Sequence, residues 1–175
     1  SDDFDSPAHI RVATENPDAL EMLAGGQVNV LGGTAYLWAR PEFEGTVDVM
    51  FVDEAGQMAL ANAVALSRAA KSVVLLGDPQ QLEQPIQGMH PEHVGVSALE
   101  HLLGDRQTIP PDLGLFLPET WRMAPEICAF TSEQFYEGKL SSRPELTDQA
   151  IHGAGELTGT GLRLVEVTHE GNRNY

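Results

Sequence analysis

Two stretches of the chain are apolar almost without interruption: Val47-Asp48-Val49-Met50-Phe51-Val52 and Ser72-Val73-Val74-Leu75-Leu76. Runs this short and this apolar predict strands of a parallel sheet covered on both faces. Between them, Met58 to Ala70 is rich in alanine, with high helix propensity and small side chains that pack closely on a sheet. Strand, helix and strand in this order predict a βαβ unit, right-handed by default. Upstream, Asn16-Pro17-Asp18 opens a helix that carries Ala19, Leu20, Met22 and Leu23 and stops at Gly25-Gly26. Val28 to Leu31 then predicts a short strand ending at Gly32-Gly33-Thr34. Downstream, Ser97 and Glu100 have the spacing of a capping box ahead of Leu102 and Leu103. Asp105 to Asp112, with Pro110-Pro111, predicts a hinge, and Leu113 to Leu117 a short strand. Pro125 suits the first turn of a helix that brings Ile127, Cys128, Phe130 and Phe135 to a core and ends at Gly138. Leu162 to Val167 predicts a last strand.

The ends of the two apolar runs carry the candidate chemistry. In open α/β sheets ligands sit beyond the carboxyl ends of the strands, which is where Asp53 and Glu54 emerge. One carboxylate can hold a hard cation such as magnesium while its neighbour takes a proton from an attacking water. Asp53 is the expected metal carboxylate and Glu54 the expected general base. The alternative is that both acids cap the following helix, where its dipole favours negative charge. The second strand ends at the same edge in Gly77-Asp78-Pro79-Gln80-Gln81. Gly77 allows a sharp exit, Pro79 stiffens the turn, and Asp78 and Gln81 can point back toward a nucleotide. The Gln81 amide can donate to a γ-phosphate oxygen or orient the lytic water, so it is the expected phosphate sensor.

Charge and composition narrow the field. Ten basic against 26 acidic residues in a chain of 175 give a formal charge of −16, which argues against a broad basic surface that coats nucleic acid. A local groove for one strand is compatible with it. The single cysteine, Cys128, excludes an internal disulfide and reads as a packing residue. No apolar run approaches the roughly 20 residues of a membrane span, and the acidic start lacks the regions of a signal peptide. A cytoplasmic protein with no membrane partner is expected. Thr34, after two glycines and beside Tyr36 and Trp38, is a candidate contact to a sugar-phosphate chain, whereas the two aromatics read as core residues of a short helix. His90, Glu92 and His93 lie in a breaker-rich loop without the third ligand that zinc needs, and read as solvent-facing.

Asp53-Glu54-Ala55-Gly56-Gln57 and Gly77-Asp78-Pro79-Gln80-Gln81 resemble motifs II and III of superfamily 1 helicases, nucleic-acid-dependent NTPases with two RecA-like domains. Trp121-Arg122-Met123-Ala124-Pro125-Glu126-Ile127, followed by Phe135-Tyr136-Glu137-Gly138-Lys139-Leu140, resembles the motif IV region in the Upf-type and Dna-type branch. Gly33-Thr34 resembles motif Ib, which touches single-stranded nucleic acid. The resemblance implies ATP and Mg2+ as cofactors, with Asp53, Gln57, Asp78, Gln81 and Arg122 around the nucleotide. Glu54, Gln81 and Arg122 would act in catalysis. Gln57 resembles the glutamine that couples the two sites. Arg122 matches an arginine delivered from a second domain to neutralise charge on the transferred phosphoryl group; pairing with Glu119 or Glu126 is its structural alternative. The implied partner is single-stranded nucleic acid, DNA in preference to RNA. His169 and Asn172 fall where some members, including ones fused to RecB-like nucleases, carry a short polar motif.

No Gly-x-x-x-x-Gly-Lys-[Ser/Thr] phosphate loop occurs in the sequence, and its two lysines, Lys71 and Lys139, lie in other contexts. Motifs V and VI are missing as well. The expected fold is therefore α/β: a partial P-loop NTPase of RecA-like type, a parallel sheet with flanking helices that lacks the phosphate-loop strand and helix. Residues 1–112 would be the later part of a first RecA-like domain and residues 113–175 the start of a second, its partners including the missing parts of its own motor. Two other classes compete. A non-catalytic interaction domain would keep the fold without the phosphate loop, and an unrelated magnesium phosphohydrolase would place a fuller acid cluster in this chain.

Overall fold

The computed structural model describes residues 10–81, 95–166, 168 and 171. They fall into two compact units that meet in sequence at Gly104 and Asp105.

In the first unit, α1 (Asn16–Ala24) starts with Pro17 in its first turn and gives way at Gly25. The short helix α2 (Ala35–Trp38) and a 3-10 turn at Pro41–Phe43 follow. Strand β1 (Val47–Val52) pairs in parallel with β2 (Ala70–Leu75), with Val47 opposite Ala70 and Val52 opposite Leu75. The helix α3 (Leu60–Ser67) makes the crossover between them. Asp48, the one charge inside β1, lies across from Lys71 at 2.7 Å. Lys71 holds the Asp48 carboxyl below its usual range, although the pair is solvated and adds little to stability. α4 (Ala98–Leu103) carries a complete capping box: Ser97 Oγ accepts from the Glu100 N–H at 3.0 Å, and Glu100 accepts from the Ser97 N–H.

The core of this unit gathers Ala19, Trp38, Phe43, Met50, Val52, Ala55, Leu66, Ala69 and Leu99. Trp38 meets Phe43 edge-on, with ring centroids 5.4 Å apart. The two aromatics of α2 thus part company: Trp38 is core, while Tyr36 is 84% exposed. The described residues cover only one face of the sheet. Met50 and Val52 are buried, but Phe51 on the opposite face is 68% exposed and Val49, Val74 and Leu76 are exposed beside it. The expectation of a strand covered on both faces is corrected here, because the described residues supply one layer of helices and two strands.

In the second unit, β3 (Glu119–Thr120) pairs in parallel with β4 (Ser141–Ser142), and α5 (Pro125–Phe135) connects them. A 3-10 turn, Pro144–Asp148, follows. Cys128 is fully buried, and burial pushes its thiol pKa up, as suits a packing residue. Phe130 and Phe135 are about half exposed rather than core.

Three predicted strands do not form. Val28 to Leu31, Leu113 to Leu117 and Leu162 to Glu166 are irregular, and Val167 lies outside the described residues. Val30, Leu115 and Leu164 in these runs are 87%, 90% and 91% exposed. Each is apolar enough to be a strand, but among the described residues none has a strand edge to pair with. The crossover helix is also shorter than Met58 to Ala70: the chain enters it at Ala59, and Ala70 already belongs to β2.

Candidate nucleotide-facing edge

The loops that leave β1 and β2 lie side by side. The Ala55 N–H donates to the Leu76 carbonyl at 2.8 Å, and the Leu76 N–H donates to the Val52 carbonyl at 2.8 Å. Two glycines permit this approach. A Cβ on Gly56 would stand 2.2 Å from the Asp78 carbonyl oxygen, and one on Gly77 would stand 2.9 Å from the Ala55 nitrogen. The first loop therefore sits directly on the second.

Both acids of the first loop are exposed on this edge. Asp53 Oδ1 accepts the Glu54 N–H at 3.0 Å, which leaves its other oxygen for a ligand. Glu54 adopts a left-handed backbone, φ 53°, an uncommon and costly conformation for a residue with a side chain. Its carbonyl accepts from the Gln57 N–H at 2.8 Å, closing a tight turn. Neither acid caps α3, whose N-cap position is Ala59, with no side-chain cap bond.

Gln57 and Gln81 bridge the two loops, Nε2 of the first donating to Oε1 of the second at 3.2 Å. Asp78 holds the second loop in shape. Its Oδ1 accepts the Gln80 N–H at 2.9 Å, and its carbonyl accepts the Gln81 N–H at 3.3 Å. Five residues singled out from the sequence, Asp53, Glu54, Gln57, Asp78 and Gln81, are thus gathered at one end of the β1–β2 pair.

Thr34 is exposed at the start of α2, where its carbonyl accepts from Leu37 and Trp38 and its hydroxyl makes no cap bond. Arg122 belongs to the second unit. Its N–H donates to Thr120 Oγ1 and its carbonyl accepts from Gln149 Nε2, both at 3.2 Å. Among the described residues its guanidinium has no ion pair, and Glu119 is bridged instead to Arg143 at 3.5 Å. His90, Glu92, His93, His169 and Asn172 lie outside the described residues.

Arg143 was not apparent from the sequence. Its guanidinium lies 3.6 Å from the centre of the Trp121 ring and makes two further bonds to the Glu145 carboxylate, at 3.0 and 3.2 Å. The separation of 22 positions between ring and cation carries no periodic signal. Gly56 was legible in principle, since a glycine beside acids at a strand end often marks a close backbone approach.

Among the described residues no group of three or more His, Cys, Asp or Glu side chains could hold a metal by itself. The donors present are carboxylate and amide oxygens, which suit a hard divalent cation that keeps waters and takes phosphate oxygens as its other ligands.

Residues 24–86, which hold α2, the βαβ unit and both loops, match the AAA domain family. The chain is also similar to several larger proteins. Over 130 residues, 73% of its length, it is 31% identical to "Probable helicase MAGATAMA 3" of Arabidopsis thaliana. Over 117 residues, 65% of its length, it is 33% identical to "5'-3' DNA helicase ZGRF1" of Mus musculus. Over 142 residues, 71% of its length, it is 29% identical to "3'-5' exoribonuclease HELZ2" of Mus musculus. It spans only 15%, 6% and 4% of the lengths of these relatives. Together these likenesses support a helicase-type, ATP-binding P-loop assignment at the level of family, and the small parallel sheets with flanking helices are compatible with part of such a domain. Among the described residues no helix is long and apolar enough to cross a membrane.

Proposed function

We propose that this chain is the nucleotide-reading middle of a superfamily 1 helicase motor with RecA-like domains, one that couples ATP hydrolysis to movement on single-stranded nucleic acid. The observation that carries the reading is the joining of the Asp53-Glu54 loop to the Asp78-Gln81 loop through Gln57 and Gln81 at one end of a parallel strand pair. Glu54 serves as the base that takes a proton from the attacking water. Gln81 contacts the γ-phosphate, and Gln57 holds it. Arg122, on the second unit, neutralises charge on the transferred phosphoryl group. Asp53 would hold the Mg2+ of an Mg–ATP complex, and that ion would supply charge neutralisation at the phosphates when bound. Thr34 is the proposed contact to the strand. The boundary between the two motor domains is placed near residue 112, and the protein is taken to act in the cytoplasm.

Single-stranded DNA is preferred to RNA as the track, in keeping with the DNA helicase among the similar proteins. The missing phosphate loop sets the scope: the backbone cradle and lysine for the β- and γ-phosphates must come from elsewhere in a longer protein. The test is strand-stimulated ATPase activity of that longer protein with Glu54→Gln. Removal of the base is expected to lower kcat roughly 100- to 10,000-fold, with binding of a fluorescent ATP analogue retained. Unchanged turnover in that variant would remove Glu54 from the chemistry. A longer protein without any strand-stimulated ATPase would favour the non-catalytic interaction domain.

A further inference from the structure

We propose that Arg143 is a positioning residue for Arg122, occupying Glu119, three positions before it in the chain, so that the Arg122 guanidinium remains available to an anionic phosphoryl group. The inference rests on the reading of Arg122 given above and adds the residue that keeps it in a usable state.

An exposed arginine flanked by carboxylates ordinarily pairs with one of them. Two acids stand near Arg122 in sequence, Glu119 and Glu126, and neither forms an ion pair with it. Glu126 lies in the first turn of α5, where the amide ends of the helix favour a negative charge. Glu119 is engaged by Arg143 Nη1 at 3.5 Å.

The strand pairing places Arg143 where it can do this. β4 runs beside β3 with Ser141 opposite Glu119, and the Arg143 N–H donates to the Thr120 carbonyl at 3.3 Å. Arg143 therefore leaves the end of β4 next to the residues that lead into Arg122. Its planar group is fixed by three partners: the Trp121 ring below, Glu145 through two bonds, and Glu119. Such stacking with forked bonding is available to arginine and not to lysine. The Arg143 side chain is 28% exposed, against 46% for Glu119. Meanwhile the Arg122 backbone is pinned on both sides, by Thr120 and Gln149. The main chain is fixed while, among the described residues, the side chain has no ion pair.

The test uses the longer ATPase-competent protein and four variants: Arg122→Ala, Arg143→Ala, Glu119→Gln, and Arg143→Ala combined with Glu119→Gln. Arg143→Ala releases Glu119 to capture Arg122 and is expected to lower kcat roughly ten- to a hundredfold, the scale of a misplaced catalytic group, with KM for ATP changed little. Glu119→Gln alone should be near wild type. The double variant should recover most of the lost kcat, because no acid remains to capture Arg122; a merely structural role for Arg143 would not be repaired by deleting its partner. If Arg143→Ala fails to fold, Arg143→Gln removes the same charge with a smaller loss of packing and carries the same expectation. Loss of turnover in Arg122→Ala with full activity in Arg143→Ala overturns the proposal alone, and so does a double variant no better than Arg143→Ala. Full activity in Arg122→Ala overturns the reading of Arg122 and the proposal together.

Discussion

Glu54 and Glu137 are the non-glycine residues with a positive φ among those described, and each sits at a polar turn. At Glu54 the strain falls on the proposed base itself, which separates stability from activity. Glu54→Gly should relieve the left-handed backbone and raise stability by roughly 1 kcal/mol in urea denaturation, while removing the carboxylate proposed as the base. Glu137 has a different local reason for its conformation. Its carboxylate accepts from the Thr108 hydroxyl at 2.9 Å and pairs with the Lys139 ammonium, which itself donates to Thr108 at 2.7 Å. The Lys139 bond, then the Thr108 bond, hold the Glu137 carboxyl below its ordinary 4.5. A lowered carboxylate contributes stability that is complete above the unfolded value and is lost as pH falls through the lower folded one. Thermal melts across pH 3 to 5, an interval set by roughly the ordinary carboxylate range, should therefore show a shallower acid limb for Glu137→Gln than for the wild type.

At the scale of elements, the glycine interlock and the helix caps make separate demands. Gly56→Ala drives a methyl group into the Asp78 carbonyl and should cost about 1–3 kcal/mol, the usual penalty for overpacking. Ser97→Ala removes one half of the capping box and should cost about 1 kcal/mol. Chemical denaturation of the two variants and their combination would measure both, with near-additivity expected if the sites are independent. The same contrast explains what could be read from the sequence. A cap is a local arrangement, so Ser97 with Glu100, Pro125 and Gly25 announced their helix ends directly. β1 and β2 were legible because each is apolar and one crossover brings them together. A strand is otherwise a relation between two segments: Val28 to Leu31 and Leu113 to Leu117 have suitable residues but no neighbouring edge among the described residues. The polar edge was legible because Asp53, Glu54 and Gln81 close apolar runs. The Arg143 stack on Trp121 was not, since it depends on the pairing of two strands of two residues each.

For the molecule as a whole, the chain carries the acids, amides and arginine proposed for phosphate chemistry but no phosphate loop. The 175-residue chain alone is therefore expected to show no Mg2+-dependent ATPase above background, measured by phosphate release with and without single-stranded DNA. Its open sheet face, with Phe51, Val49, Val74 and Leu76, is an adhesive surface when nothing lies against it. Phe51→Lys should make the isolated chain more soluble by light scattering while leaving its melting temperature close to wild type. The βαβ arrangement also bears on the order in which the protein is made. Both loops of the polar edge lie between residues 47 and 81, and one short crossover closes them. Contacts so near in sequence form early because little loop entropy opposes them. The polar edge can therefore take shape while the second unit is still being synthesised, so that each unit folds on its own schedule as the ribosome releases it.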